Sequence, residues 1–320
     1  PMGNPHPRFW SWVMGNGTAF GMLAEMLAAG LNPNMGGGEH AAIYVDKQVI
    51  DWTLDMMGFL AGSSGLLVSG GSMANLVALA VARKAKAGYD VRQMGLQASH
   101  APFVYYASVE AHSSLQQAIA LLGVGSAYLR LIPIDDAYRI NLAALAHAIA
   151  DDRAAGLQPV CVIGNAGTVN SGAVDDLPAL AELARREGLW FHADGAIGAL
   201  ARISPELAPR LRGIEQADSI ALDFHKWMYM PFEAGCVLVR DEEAHRQTFS
   251  LTPEYLESHG ERGIAAGSRW PNEYGIQLTR NFRALKVWMS LREHGVQKYG
   301  RMMAQNAAQA QYLAARVEQA

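Results

Sequence analysis

From residue 64 onward the chain alternates between two patterns. Short runs of β-branched or otherwise apolar residues, each closed by a glycine or polar residue, are separated by longer stretches with apolar positions at helical spacing. The short runs predict strands at about 65–69, 104–108, 159–165, 189–194, 219–224 and 236–240. Most are apolar throughout, as expected of strands covered by helices on both faces. The periodic stretches predict helices over about 73–88, 113–122, 142–155 and 176–187, each ending near a glycine or a polar break. Alternation of this kind predicts an α/β fold with a mostly parallel central sheet.

The two ends of the chain read differently. Residues 1–45 are rich in Gly, Met, Trp and Asn, with one helix predicted over about 19–29, and look like an arm that packs on something larger. A large domain over 46–250 follows. Turn residues then occupy 252–274, and two strong helical patterns, about 277–293 and 296–319, begin a smaller C-terminal domain within 251–320. The first residue is Pro1 and the last helical pattern looks unfinished, so the chain is expected to be a fragment.

Composition narrows the function classes. Half of the 320 residues are hydrophobic and 18% are charged, which excludes a disordered chain. The net charge is −4 and Lys and Arg are scattered, so neither a nucleic acid nor an anionic membrane surface is an expected partner. No run approaches the ~18 apolar residues of a membrane span, and the N-terminus lacks the features of a signal peptide. A soluble, cytoplasmic protein is the default expectation. Cys161 and Cys236 lie in apolar runs and read as buried reduced thiols rather than as a disulfide framework.

Four pieces of chemistry fall at strand ends, where an open parallel sheet places its ligands. Ser69-Gly70-Gly71-Ser72-Met73-Ala74-Asn75 is a glycine-rich turn into a helix, where backbone N–H groups and the Ser72 hydroxyl make a phosphate site. It matches neither a P-loop nor a dinucleotide fingerprint, so a plain strand-to-helix turn stands beside that reading. Asp223-Phe224-His225-Lys226-Trp227 puts a lysine between aromatics, which should partly desolvate it and free its amine as a nucleophile; an exposed loop lysine is the alternative. His192-Ala193-Asp194-Gly195-Ala196 ends a strand in a carboxylate followed by small residues, so that a flat ligand can approach the backbone; a capping Asp is the alternative. Ala111-His112-Ser113-Ser114 offers an imidazole to stack or transfer protons, although a lone His is more often structural. Together an amine, a phosphate cradle, a carboxylate and an imidazole match the needs of pyridoxal phosphate: a lysine for its aldehyde, a helix start for its phosphate, an anion for its ring nitrogen.

These residues resemble the group II pyridoxal-phosphate-dependent amino-acid decarboxylases, which include the aromatic-L-amino-acid, glutamate and diaminobutyrate decarboxylases. Further matches are His6-Pro7-Arg8-Phe9, Ala166-Gly167-Thr168, Gly172-Ala173-Val174-Asp175, Leu189-Trp190-Phe191, Ala217-Asp218-Ser219 and Arg283-Ala284-Leu285-Lys286-Val287-Trp288, so the resemblance covers nearly the whole chain. It implies the transferase-like fold of fold-type I pyridoxal-phosphate enzymes. Lys226 would hold the cofactor covalently, Asp194 would pair with its ring nitrogen, His112 would stack on the ring and Ala196 would pack on the other face. Gly71 and Ser72 would bind the phosphate, with Asp223 and His225 nearby. Asn165 stands where relatives usually carry Thr, and its amide would still bond to the cofactor. The implied reaction is α-decarboxylation of an L-amino acid to the amine, in a homodimer. No metal is expected.

The resemblance weakens at three places. Relatives present a tyrosine on a mobile loop as proton donor to the substrate carbon. Here its position falls at or beside Pro271, and Tyr274 is the nearest tyrosine. Without such a donor, His112 or water takes over, and oxidative deamination to an aldehyde becomes an alternative outcome. Relatives are also longer at both ends. The arm residues Trp10, Trp12 and Met14 are expected in the substrate pocket, favouring an aromatic or apolar side chain, although such residues are more often packing residues. Two other readings stand beside the decarboxylase: a carbon–carbon aldehyde lyase that shares the Asp-x-Ala and His-Lys patterns, and a non-catalytic cofactor-binding paralogue.

Overall fold

The computed structural model describes residues 6, 9, 12–250 and 269–320. Helices α1 (Ala19–Leu31) and α2 (Ala41–Met57) precede strand β1 (Ser64–Val68). Next come α3 (Gly71–Lys86), the single turn α4 (Val91–Met94), β2 (Phe103–Ser108), α5 (Ser113–Leu121) and β3 (Leu129–Ile132). They are followed by α6 (Leu142–Ala154), β4 (Gln158–Asn165), α7 (Leu177–Glu187), β5 (Trp190–Asp194) and β6 (Ser219–Asp223). The single turn α8 (Phe224–Trp227), β7 (Gly235–Val239), α9 (Glu242–Phe249), α10 (Ala284–His294) and α11 (Val296–Glu318) complete the described chain.

The seven strands form one sheet in the order β1-β7-β6-β5-β4-β2-β3. Strand β7 is antiparallel to both neighbours and all other pairings are parallel, so β1 to β6 share one direction. Their carboxyl ends therefore open on the same edge. The strands are apolar on both faces because both are covered, and the period of two divides their residues between two cores. Phe103, Tyr105 and Ala107 pack with α3 and α5, while Val104 and Tyr106 pack with the layer that includes α2, α6 and α7. Small residues on α3, Ala74, Ala78 and Ala82, let that helix lie close against the sheet. Cys161 belongs to one core and Cys236 to the other; both are free and buried, with the sheet between them.

The six strands expected from the sequence are present, shifted by a residue or so at their ends. Strand β3 was not expected, because a four-residue edge strand containing Arg130 shows no apolar run. Helix α2 was also missed and runs unbroken through residue 45, where the arm was expected to end. Its buried face includes Asp46 and Thr53 beside Val49, Ile50 and Met57, so two polar residues interrupt the stripe. Helix α10 begins at Ala284 rather than near 277, because the preceding residues form a strap: the buried Arg280 side chain donates to Met35 O (3.0 Å) and Leu67 O (2.5 Å). Among the described residues no helix is long and apolar enough to cross a membrane.

Burial also predicts an acid sensitivity. His245 on α9 is fully buried, 2.9 Å from Ser64 Oγ, and burial pushes its imidazole from 6.5 down to about 3. Below 6.5 the unfolded chain binds a proton that the fold rejects, so stability falls with falling pH across that window. His245→Phe removes this penalty. Relative to the variant, the wild type should lose up to about 1.4 kcal/mol per pH unit below 6.5. Chemical denaturation of both proteins across that range checks the slope.

Candidate active site

The carboxyl ends of β1, β2, β4, β5 and β6 surround a cavity of about 350 Å³, a size that suits a small molecule. Gly71, Ser72, His112, Asn165, Asp194, Ala196, Asp223, His225 and Lys226 all line it. They come from five separate strand ends, and parallel pairing is what brings them to one edge.

Each wall follows from local chain chemistry. Helix α3 starts at Gly71 with no N-cap side chain and no acidic residue in its first turn; the Gly71 N–H bonds to the Asp223 carboxylate, and the remaining N–H groups of the turn are open to an anion. A Cβ on Gly71 would lie 2.9 Å from Ala196 Cβ and 3.0 Å from Asp223 Oδ2, so only glycine keeps this approach clear. Asp194 ends β5 buried; its Oδ1 accepts the Ala196 N–H at 3.2 Å and its Oδ2 accepts from Asn75 Nδ2 at 2.9 Å. His112 caps α5, its Nδ1 accepting the Ser114 N–H at 3.2 Å, which leaves the proton on Nε2.

Lys226 sits on α8, one turn beyond β6. Its Nζ lies 3.2 Å from Asp223 Oδ2, so the amine is paired with a carboxylate rather than isolated among aromatics as the sequence suggested. Burial raises the Asp223 carboxyl, and the nearby His225 and Lys226 oppose that rise. Asp223 Oδ1 is buried with no hydrogen-bond partner, an acceptor that calls for a polar ligand group. His225 Nδ1 accepts the Ala234 N–H (3.1 Å), its ring packs 5.0 Å from Phe232, and burial holds its imidazole below 6.5. Asn165 commits both amide hydrogens internally, to Ser108 Oγ (3.1 Å) and Asp175 Oδ2 (3.2 Å), so only its carbonyl oxygen remains for a ligand.

Three expected residues are not brought to the cavity. Tyr274 is buried elsewhere, lining a separate pocket of about 430 Å³ with its hydroxyl 2.6 Å from Glu242 Oε1. Trp12 is 83% exposed and meets Phe9 edge-on at 6.4 Å. Met14 is half-buried and does not line the cavity, and Trp10 lies outside the described residues. The arm does pass close by: a Cβ on Gly15 would lie 2.1 Å from the Lys226 carbonyl oxygen. Conversely, Glu110 and Ile197 line the cavity and no motif marked them. Asn75 was visible as a buried polar position among the alanines and valines of α3, which is the signal that finds it.

A phosphate cradle at Gly71–Ser72, an orphaned buried acceptor on Asp223, a buried carboxylate and an amine around one cavity fit pyridoxal phosphate. Comparison with known proteins agrees. The family model described as the pyridoxal-dependent decarboxylase conserved domain matches residues 3–320. The aromatic-L-amino-acid decarboxylase of Bacillus atrophaeus is 42% identical over 296 residues, covering 91% of this chain and 59% of that protein. The phenylacetaldehyde synthase of Arabidopsis thaliana is 31% identical over 299 residues, 90% of this chain and 60% of its own. The structure of Oryza sativa TDC with PLP and tryptamine superposes with a TM-score of 0.80 at 29% identity, covering 90% of this chain and 61% of that one. The chain thus spans about three fifths of the length of the relatives it matches. Over that span, the chain belongs to the pyridoxal-dependent decarboxylase family.

Proposed function

We propose that this chain is the cofactor-binding part of a pyridoxal-phosphate-dependent decarboxylase that converts an L-amino acid with an aromatic or apolar side chain to its amine and CO2. The observation that carries this reading is the convergence of Lys226, Asp194 and His112, from three separate strand ends, on one cavity. When bound, pyridoxal phosphate supplies an electron sink for the pair left behind as CO2 departs. The protein's residues do the rest. Gly71 and Ser72 hold the phosphate end, Lys226 provides the amine that anchors the cofactor and yields it to the substrate, and Asp194 holds the ring-nitrogen end. His112 covers the ring and presents Nε2–H as a proton for the substrate carbon.

Two features support a cytoplasmic homodimer. Both thiols are free and buried. Helix α1 leaves Met22, Met26, Leu27 and Leu31 exposed along one stripe, an apolar face that suits a subunit contact. Incubating the purified protein with pyridoxal phosphate and a panel of L-amino acids, then quantifying CO2, amine, ammonia and peroxide, tests the activity. Equal CO2 and amine from aromatic substrates is the expected result, and no turnover of any amino acid would leave a non-catalytic paralogue.

The position of Tyr274 favours a second reading, decarboxylation coupled to oxidative deamination, which would consume dioxygen and water and release CO2, an aldehyde, ammonia and peroxide in place of the amine. With its hydroxyl bonded to Glu242 outside the cavity, Tyr274 is not placed to protonate the substrate. Tyr274→Phe should therefore leave CO2 release near the wild-type rate and cost about 1 kcal/mol of stability from the lost hydrogen bond. Parallel rate measurements and denaturant melts check both halves; a collapse in rate at unchanged stability would return Tyr274 to the chemistry.

A further inference from the structure

Behind the cavity floor runs an unbroken chain of buried hydrogen bonds. The Trp190 indole N–H donates to Ser219 Oγ at 2.8 Å, and Ser219 Oγ lies 2.9 Å from His192 Nδ1. His192 Nε2 lies 2.9 Å from Asn75 Oδ1. The Asn75 amide nitrogen then forks, to Asp194 Oδ2 at 2.9 Å and to Ser114 Oγ at 3.1 Å, and Ser114 Oγ lies 2.8 Å from His112 Nδ1. Trp190, Ser219, His192, Asn75, Ser114 and Asp194 are all buried, so water does not compete for the bonds among them, and the chain surfaces at His112, which is exposed.

The ends of the chain fix its sense. An indole nitrogen only donates, so Ser219 Oγ accepts from Trp190 and its own hydrogen is free to go to His192 Nδ1. An ionised carboxylate only accepts, so the Asn75 nitrogen must face Asp194 and its carbonyl oxygen must face His192. That orientation requires the His192 proton on Nε2, and the neutral ring then accepts the Ser219 hydrogen at Nδ1. Burial keeps that ring neutral, down to about 4. On the other branch Ser114 Oγ accepts from Asn75, and because His112 Nδ1 also accepts the Ser114 N–H and is therefore bare, the Ser114 hydroxyl donates to that nitrogen.

We propose that Asn75 and His192, anchored by Ser219 and Trp190, are positioning residues that hold the Asp194 carboxylate and the His112 ring in register through a one-way hydrogen-bond relay. The inference rests on the cofactor reading given above. A single amide then couples the group that grips the ring nitrogen to the group that covers the ring. Neither the His192 ring nor Trp190 lines the cavity. Their effect on the cofactor passes through Asn75.

The test begins with the cofactor-free chain, so that it stands or falls apart from the decarboxylase reading. Nitrogen-15 NMR of histidine-labelled protein near neutral pH should show His192 protonated on Nε2 and bare on Nδ1, and the neutral ring of His112 in the same tautomer. A charged His192, or one protonated on Nδ1, would overturn the relay without touching the proposed activity. Second, Asn75→Leu keeps the volume and cuts the fork. It should weaken pyridoxal phosphate binding by about 10- to 100-fold, as loss of an orienting outer partner does elsewhere. It should also move the pH midpoint of the bound cofactor's visible band by about one unit, the worth of a hydrogen bond to a charged group. A folded Asn75→Leu protein with wild-type affinity and an unmoved midpoint would refute the proposal. Conversely, correct tautomers and a moved midpoint in a protein that releases no CO2 would sustain the relay and contradict the decarboxylase.

Discussion

Lys226→Ala should abolish CO2 release, an expected loss of about 10³-fold or more, and remove the visible band of protein-bound pyridoxal phosphate. Among the described residues, Lys226 is the lysine that lines the cavity. Lys286, the deeply buried alternative, is engaged elsewhere, 2.7 Å from Glu25 Oε2 and 3.1 Å from the Phe232 carbonyl. The same substitution carries a stability signature. Asp223 stays buried but loses the cation 3.2 Å away, so its carboxyl, already raised by burial, rises further. A carboxyl raised in the fold penalises stability when ionised, and the penalty disappears once the carboxyl is protonated. The deficit of Lys226→Ala relative to wild type should therefore be largest at alkaline pH and shrink as the pH falls. Spectra, turnover and pH-dependent melts of one variant check all three points; a retained band would show that another amine holds the cofactor.

Asp194→Asn separates cofactor attachment from chemistry. The variant keeps Lys226 and the shape of the site, so the bound cofactor's visible band should remain. It replaces an acceptor-only group with an amide, and CO2 release should fall by about 10³-fold, roughly 4 kcal/mol of transition-state stabilisation. The new amide also faces Asn75 Nδ2 and the Ala196 N–H, which require acceptors. One orientation offers its oxygen to only one of them, so a further destabilisation of about 1–3 kcal/mol is expected. Single-turnover CO2 release alongside equilibrium unfolding measures both effects. Near wild-type turnover would mean that Asp194 does not face the ring nitrogen.

What the sequence showed and what it hid follow from the range of the interactions. Strands apolar on both faces and closed by Gly71, Asp194 or Asp223 are local patterns, so the sheet and the site at its edge were legible. Helix α9 also had a local signal, Asp241 capping the Ala244 N–H ahead of two glutamates, but it is only eight residues long and mostly polar, so no apolar stripe marked it. Strand β3 was hidden by its shortness and by Arg130, which turns to pair with Asp152 at 2.6 Å. Helix α2 was hidden because Asp46 and Thr53 are buried for reasons a single helix does not show: Arg280 and Arg283 lie near Asp46, and Thr53 donates to the Val49 carbonyl within the helix. The relay joins Asn75 to residues more than a hundred positions away, so no spacing rule could reach it. The arm residues misled because Trp and Met mark packing as readily as a pocket, and Trp12 stands largely in solvent.

The proposed activity depends on one covalent attachment. The most direct measurement is to load the protein with pyridoxal phosphate, reduce it with borohydride to fix the bond, and map the labelled peptide by mass spectrometry. A pyridoxyl mass on Lys226, and no label in the Lys226→Ala protein, is expected. A label on any other lysine, or none despite a saturating cofactor, would contradict it.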